Sequence, residues 1–341
     1  TAYAWAVMLL SLPLMIAASR VEFKRLLLGV LMVFAAGQVF SAVAQTFFLL
    51  VLARIVVASA HAIFWSIAAV MATRLVDVRH GSLAIGMIAT GSSIAQIFGL
   101  PLGRAIGLAL GWRMTFGVVG VIAIAIIAYL AAVLPTIPAG KPFTLARLPH
   151  LFKNRPLVVM YGATMLFATG YYTCYSYIEP FLQQVASFDA GMITVSLTVF
   201  GVAGILGSML FSRLYDGRSQ LFLALSIAGV VVALALLRVV AGSVPAVLAV
   251  FMLWGCCGTA FNVAFQAEII KGVEEDESSV AMSIFSGLFN FGIGAGSALG
   301  GVVVTSVSIE AIGLVGAVVV AVCWVVTVAV LFRLMRARAV A

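Results

Sequence analysis

Charge is what this chain has least of: 19 Lys and Arg and 11 Asp and Glu, 9% of 341 residues. Soluble globular domains carry about 25%, so a fold bathed in water on all sides is excluded. Cysteine is also scarce, and Cys174, Cys256, Cys257 and Cys323 all fall in apolar runs without metal-ligand spacing. That excludes a disulfide framework or zinc site and leaves small core residues. There is no HExxH, GxSxG or phosphate-binding loop, and no pair of carboxylates within one apolar run to share acid and base roles. Enzyme chemistry and ATP-driven pumping therefore lack their residues, and no cofactor or metal is expected. The longest connector, 135–155, is too short to be a sensor's output domain.

What the chain does have is length of apolar sequence: 64% hydrophobic residues and a mean hydropathy of +1.24. Apolar runs occur at 1–18, 26–44, 47–73, 84–103, 114–134, 156–178, 191–212, 220–240, 246–270, 280–303 and 311–332. A bilayer core needs about 20 helical residues, and barrel strands run to only about 10, so the expectation is an all-α polytopic membrane protein with eleven spans. Alternating the connections puts every Lys and Arg except Arg54, Arg104, Arg113 and Arg238 on one face, with the C-terminus. By the positive-inside rule that face is cytoplasmic. The net charge of +8 is then topogenic, its partner the lipid bilayer and not nucleic acid.

The stretch 47–73 holds two ionisable groups, Arg54 and His61. Steps of 4, 3 and 4 join Arg54, Ala58, His61 and Trp65 into one helical stripe. Charge inside a membrane is costly and usually faces a bundle interior or a watery cavity, so the stripe reads as one wall of a solute pathway. Arg54 beside a carboxylate would depress its pKa and help it release a proton; otherwise it caps a polar contact between helices. His61 either binds solute and titrates, or bonds a neighbouring backbone. Trp65 suits a sugar ring or plain core packing.

Three further clusters pose the same choice. Tyr172, Tyr175 and Glu179 are spaced 3 and 4 apart and are expected on one face, as a sugar-binding surface with a titratable acid or as an interfacial belt. Asn262 and Gln266 lie one turn apart, and neutral amides suit an uncharged polyol, though they also bond helices together. Asn290 shares a stripe with Ser283, Ser286 and Gly294, where small neighbours leave room for a ligand. The acidic run Glu274–Glu277 reads as a solvated loop.

Internal repetition is visible. Gly91 with Gly287, Gly99 with Gly294 and Arg20 with Arg213 give offsets of 196, 195 and 193 residues. Two homologous halves are expected, 1–134 and 156–341, joined by the basic linker 135–155. The second runs from Pro156 to Arg213 before its charged turn, whereas the first reaches Arg20 almost at once. The expectation is twelve spans in the intact protein, with the first absent here.

Two six-span halves and a basic central loop resemble the major facilitator superfamily, in its drug–proton antiporter branch. Arg54 matches the branch's fourth-helix arginine; Gly99-Leu100-Pro101-Leu102-Gly103 resembles its fifth-helix antiporter motif, and Gly111-Trp112-Arg113 with Phe116 the turn that follows. The segments ARIVVASAHAIFWS, ATGSSIAQIFGLPLGRAIG, YSYIEPF and AMSIFSGLFNFGIGAG are similar to bacterial sugar efflux transporters, the arabinose and IPTG exporter group. Ser19, Glu22 and Phe23 depart from the superfamily's first charged turn, where Asp, Gly and Arg are usual.

The resemblance implies a monomeric exporter of sugars by proton antiport, in a bacterial inner membrane, with multidrug or other metabolite efflux as the rival. The clusters read above then assign proton coupling to Arg54, His61 and Glu179, and substrate contacts to His61, Trp65, Tyr172, Tyr175, Asn262, Gln266 and Asn290. Gly91, Gly99, Pro101, Gly103 and Asp216 would serve the conformational change, the glycines as close-packing points or a sliding seam. The family's usual first-helix acid has no counterpart in this numbering.

Overall fold

A computed structural model describes residues 2–138 and 148–340; the side chains of Pro101 and Arg104, and Lys141 and Arg147 of the linker, lie outside the described residues. The helices are α1 (Ala2–Ala18), α2 (Phe23–Val43), α3 (Phe47–Arg74), α4 (Gly81–Leu110), α5 (Trp112–Val133), α6 (Leu148–Lys153) and α7 (Arg155–Tyr175). They continue as α8 (Ile178–Gln184), α9 (Ala190–Leu214), α10 (Ser219–Val240), α11 (Val244–Lys271), α12 (Ser278–Ser306), α13 (Ile312–Val326) and α14 (Phe332–Val340). Among the described residues ten helices are long and apolar enough to cross a membrane, and Tyr3–Ala18 is a shorter apolar helix before them. A π turn, Thr327–Leu331, joins α13 to α14 within the last span.

Local chemistry sets the helix ends. Thr46 caps α3 by accepting from the Leu49 N–H at 3.2 Å, and Asp189 caps α9 by accepting from the Met192 N–H at 2.7 Å. Such caps satisfy first-turn donors that have no partner within the helix. Between α4 and α5 a single residue turns the chain: Gly111, with φ +86° and ψ 150°, a conformation that a side chain would make costly.

The helices pack as two bundles. In the first, α2 lies against α3 and α5, and α1 against α3; in the second, α7 lies against α12 and α13, with α9 and α10 against α11. The bundles meet along two seams, α1 with α12 and α4 with α9. Glycines make the first seam close. On one side of α12, a Cβ at Gly292 would lie 2.5 Å from Ala168, and one at Gly300 2.7 Å from Tyr177, both on the α7 side. On the other, Gly287 faces the Met8 carbonyl at 3.3 Å and Gly294 the Trp5 ring at 3.2 Å, both on α1. Small residues on both sides let one helix touch two neighbours at backbone distance.

Several expectations are corrected. Among the described residues nothing lies within 4 Å of a Cβ added at Gly91 or Gly99, so neither packs against a described neighbour; α4 meets α9 through Gly86, beside Ser212, and through Ile97, opposite Gly201. Gly103 sits 3.6 Å from Thr115 of α5, within its own bundle. Tyr172, Tyr175 and Glu179 do not share one face, because α7 ends at Tyr175 and Glu179 lies exposed in the first turn of α8. Pro180 explains the break: it has no N–H for the Ser176 carbonyl, and its ring clashes there, but it fits the first turn of a new helix. Arg238 is not an intramembrane charge like Arg54; it lies in the last turn of α10 in a half-exposed ion pair with Glu310 at 2.9 Å.

Nor is the run Glu274–Glu277 merely solvated. Glu275 pairs with Arg74 of the other bundle, and Glu277 is buried with His150 of α6 at 3.4 Å. Asn154 adds a hydrogen bond to the Gly272 carbonyl at 2.9 Å, so the end of the linker lies on the second bundle. Its start is held to the first: Glu22 accepts from the Ile137 N–H at 3.1 Å.

Candidate functional site

A cavity of about 440 Å³ lies between the bundles, walled by α1, α3 and α4 on one side and α7, α9, α11 and α12 on the other. Its described lining includes no Asp, Glu, Lys or Arg; His61 is the sole residue there of a type that titrates near neutrality.

The first wall carries His61 and Trp65, their rings 6.2 Å apart, with Tyr3 of α1 edge-on to His61 at 5.4 Å. Helical spacing brings His61 and Trp65 to the cavity, but Arg54 and Ala58 of the same stripe do not line it. Ala58 packs with Val7 and Ala62. The Arg54 guanidinium lies against the Tyr3 ring at 5.2 Å and the Phe116 ring at 5.4 Å, one layer behind the lining. Aromatic faces stabilise a desolvated cation by about 2 kcal/mol or more.

The second wall is aromatic and amidic. Tyr171, Tyr172 and Tyr175 descend α7, Phe200 comes from α9, and Asn262 and Gln266 come from α11. From α12 come Phe285, Ser286, Phe289 and Asn290. The Gln266 Nε2 donates to Asn262 Oδ1 at 2.6 Å, and Asn290 Nδ2 donates to the Ser286 carbonyl at 2.9 Å. Those bonds fix the amides, leaving the Gln266 and Asn290 oxygens as acceptors and the Asn262 nitrogen as a donor. Thus His61, Trp65, Tyr172, Tyr175, Asn262, Gln266 and Asn290 surround one space, whereas Glu179 lies apart from it. Tyr3, Tyr171 and Gly258 also line it, and sequence spacing does not single them out.

One end of this space is latched. At the basic face Arg74 of α3 donates to the Glu275 carbonyl at 2.8 Å, and its Nε lies 3.4 Å from the Glu275 carboxylate. Across the other seam, Ser82 of α4 donates to Asp216 at 3.0 Å, while Lys271 approaches the same oxygen at 3.4 Å. The hydroxyls of Thr90 and Ser208 meet at 2.6 Å further in. Towards the opposite face, Phe98 and Leu102 of α4 and Val195 of α9 are exposed, and no described residue lies within 4 Å of a Cβ added at Gly99. Among the described residues, polar ties between the bundles are thus gathered at the basic end. Asp216 is one of them, although the pattern does not reveal its partner Ser82.

This helical arrangement is shared with known proteins. The family model described as Major Facilitator Superfamily matches residues 1–266 and again 164–340. A Helicobacter pylori (strain J99) protein named probable sugar efflux transporter is 42% identical over 316 residues, 93% of this chain and 81% of that one. In fold, the chain is similar to the human organic anion transporter MFSD10, with a TM-score of 0.78 at 15% identity over 96% of this chain and 82% of that one. It is also similar to the E. coli fucose:proton symporter FucP, at 0.73 and 16% identity over 96% and 88%. With a relative this near along almost its whole length and the family matched in both halves, the chain belongs to the major facilitator superfamily.

Proposed function

We propose that this protein is a secondary transporter that exports small sugars or sugar-like compounds in exchange for protons, by alternating access. The observation that carries the reading is the lining of the central cavity: aromatic rings and amides, with no Asp, Glu, Lys or Arg among its described residues. Sugars place C–H faces on rings and need hydrogen-bond partners for their hydroxyls, and an uncharged cavity takes them without a counter-ion. A volume of about 440 Å³ falls within the range of small-ligand sites, about 300–1,000 Å³. The naming of its relatives as probable sugar efflux transporters supports the same substrate class.

In this reading His61, Trp65, Tyr172, Tyr175, Asn262, Gln266 and Asn290 hold the solute. Arg54 serves proton coupling from behind Tyr3, by favouring the ionised form of an acidic group; that acid is not assigned to any residue numbered here. Glu179, exposed and outside the cavity, is given no part. The two bundles, 1–134 and 156–341, rock about the cavity. With the basic face cytoplasmic in a bacterial inner membrane, the ties of Arg74 to Glu275 and of Ser82 to Asp216 close the cytoplasmic end, and loading from inside requires that they part.

The test is flux in proteoliposomes with an imposed proton gradient, comparing pentoses and galactosides with lipophilic cations. Gradient-driven movement of the sugars is expected. Sugar movement indifferent to the gradient removes antiport, and preference for the cations removes the substrate class.

A further inference from the structure

We infer that Gly258 sets the largest solute the cavity admits, by giving the Tyr171 ring a seat on α11; this rests on the sugar-transport reading above. A Cβ built at Gly258 would lie 2.8 Å from Tyr171 Cε2, 3.2 Å from its Oη and 3.4 Å from its Cζ. Real Cβ contacts essentially never fall below 3.0 Å, so any side chain at 258 must displace the ring. The direction of that displacement is set by the neighbours. Phe167 stacks on Tyr171 at 5.7 Å, Trp254 meets its edge at 5.3 Å, and Tyr172 and Tyr175 flank it at 5.3 and 5.8 Å.

Phe167 and Trp254 are themselves fully buried, so neither can yield without opening a gap in the core. The remaining free side is the cavity, which Tyr171 and Gly258 both line. Nothing tethers the ring against such a shift, because among the described residues its hydroxyl has no hydrogen-bond partner. A methyl group at 258 therefore pushes the phenol into the lumen and narrows it. Interhelical glycines such as Gly255 and Gly207 differ, since they face backbone of α9 and α11 and leave the cavity untouched.

The experiment compares arabinose, a monosaccharide, with lactose, a disaccharide, in proteoliposomes holding wild type, Gly258→Ala or Gly258→Ala/Tyr171→Ala. Gly258→Ala is expected to lower the lactose-to-arabinose ratio of kcat/KM about tenfold, the scale on which pockets respond to a group too many. Removing the ring in the double variant should return the ratio to within about twofold of wild type, as coupled neighbours require. An unchanged ratio in Gly258→Ala, or a loss that persists in the double variant, overturns the inference.

A second readout is independent of sugar. In a background with the native cysteines replaced by serine, Ser92→Cys in the cavity is labelled with methyl and benzyl methanethiosulfonate. Gly258→Ala should slow the benzyl reagent relative to the methyl one, and Tyr171→Ala should reverse the effect; equal slowing of both overturns the size role. If wild type carries neither sugar, the substrate reading fails while the labelling ratio still decides the part played by Gly258.

Discussion

α11 buries Phe251, Trp254, Phe261 and Phe265, whereas among the described residues α5 buries only Gly120 and Ala123 and leaves Val121, Ile122 and Ile124 exposed. The contrast extends to the bundles they belong to. The largest fully buried side chains are mostly in the second, with Met15 and Ile67 the main ones in the first. The second bundle is thus a densely packed frame that holds its amides and tyrosines in fixed positions. The first is more thinly packed and brings the ionisable groups, His61 and Arg54. In our proposal this contrast is a division of labour: solute is gripped mainly by the rigid side, and proton coupling works from the other.

The largest effect should come from breaking the frame itself. Trp254→Ala removes a side chain with 0% exposure and should cost about 3–5 kcal/mol, read as an early thermal transition in detergent. Val121→Ala on α5, 68% exposed, should change stability by less than about 0.5 kcal/mol. Comparable losses at the two sites would erase the contrast in packing.

The next contrast separates grip from coupling. Asn262→Ala also strands Gln266, and should raise KM for sugar about tenfold while flux still follows the proton gradient. Arg54→Ala should do the reverse, leaving flux indifferent to the gradient with KM changed only a few-fold. If both variants lose affinity and coupling together, the two walls do not divide the work.

The smallest effect is expected at the basic end. Glu275 is largely exposed, so its pair with Arg74 contributes at most about 1 kcal/mol. Glu275→Ala, which removes that pair and leaves the Arg74 bond to the backbone carbonyl of residue 275, should therefore raise reagent access to a cysteine placed at Ser279 by no more than about fivefold at that energy. No change would mean that the remaining ties hold the end shut without the ion pair.

Much of this was legible in the sequence, because spans and helix faces follow from two periodic signals, apolar length and the 3.6-residue repeat. His61 with Trp65, and Asn262 with Gln266, are one turn apart, and the helix carries each pair to the same space. The repeat breaks down where the helix does: Pro180 ends the register that would have joined Glu179 to Tyr175. Glycine content shows that some helix face is close-packed but not which face meets which neighbour, so Gly91 and Gly99 misled while Gly86 and Gly258 passed unnoticed. Partners across the chain, such as Glu275 for Arg74 or Ser82 for Asp216, lie too far apart in sequence for spacing to suggest them.

The turn at Gly111 has a mechanical corollary. With one residue between them, α4 and α5 have no slack, so any travel of α4 along α9 must drag α5 with it. α5 in turn lies against α2, and the stroke at one seam is delivered to the far edge of the bundle. A residue able to adopt only negative φ would not lengthen this elbow; it would bend it the wrong way.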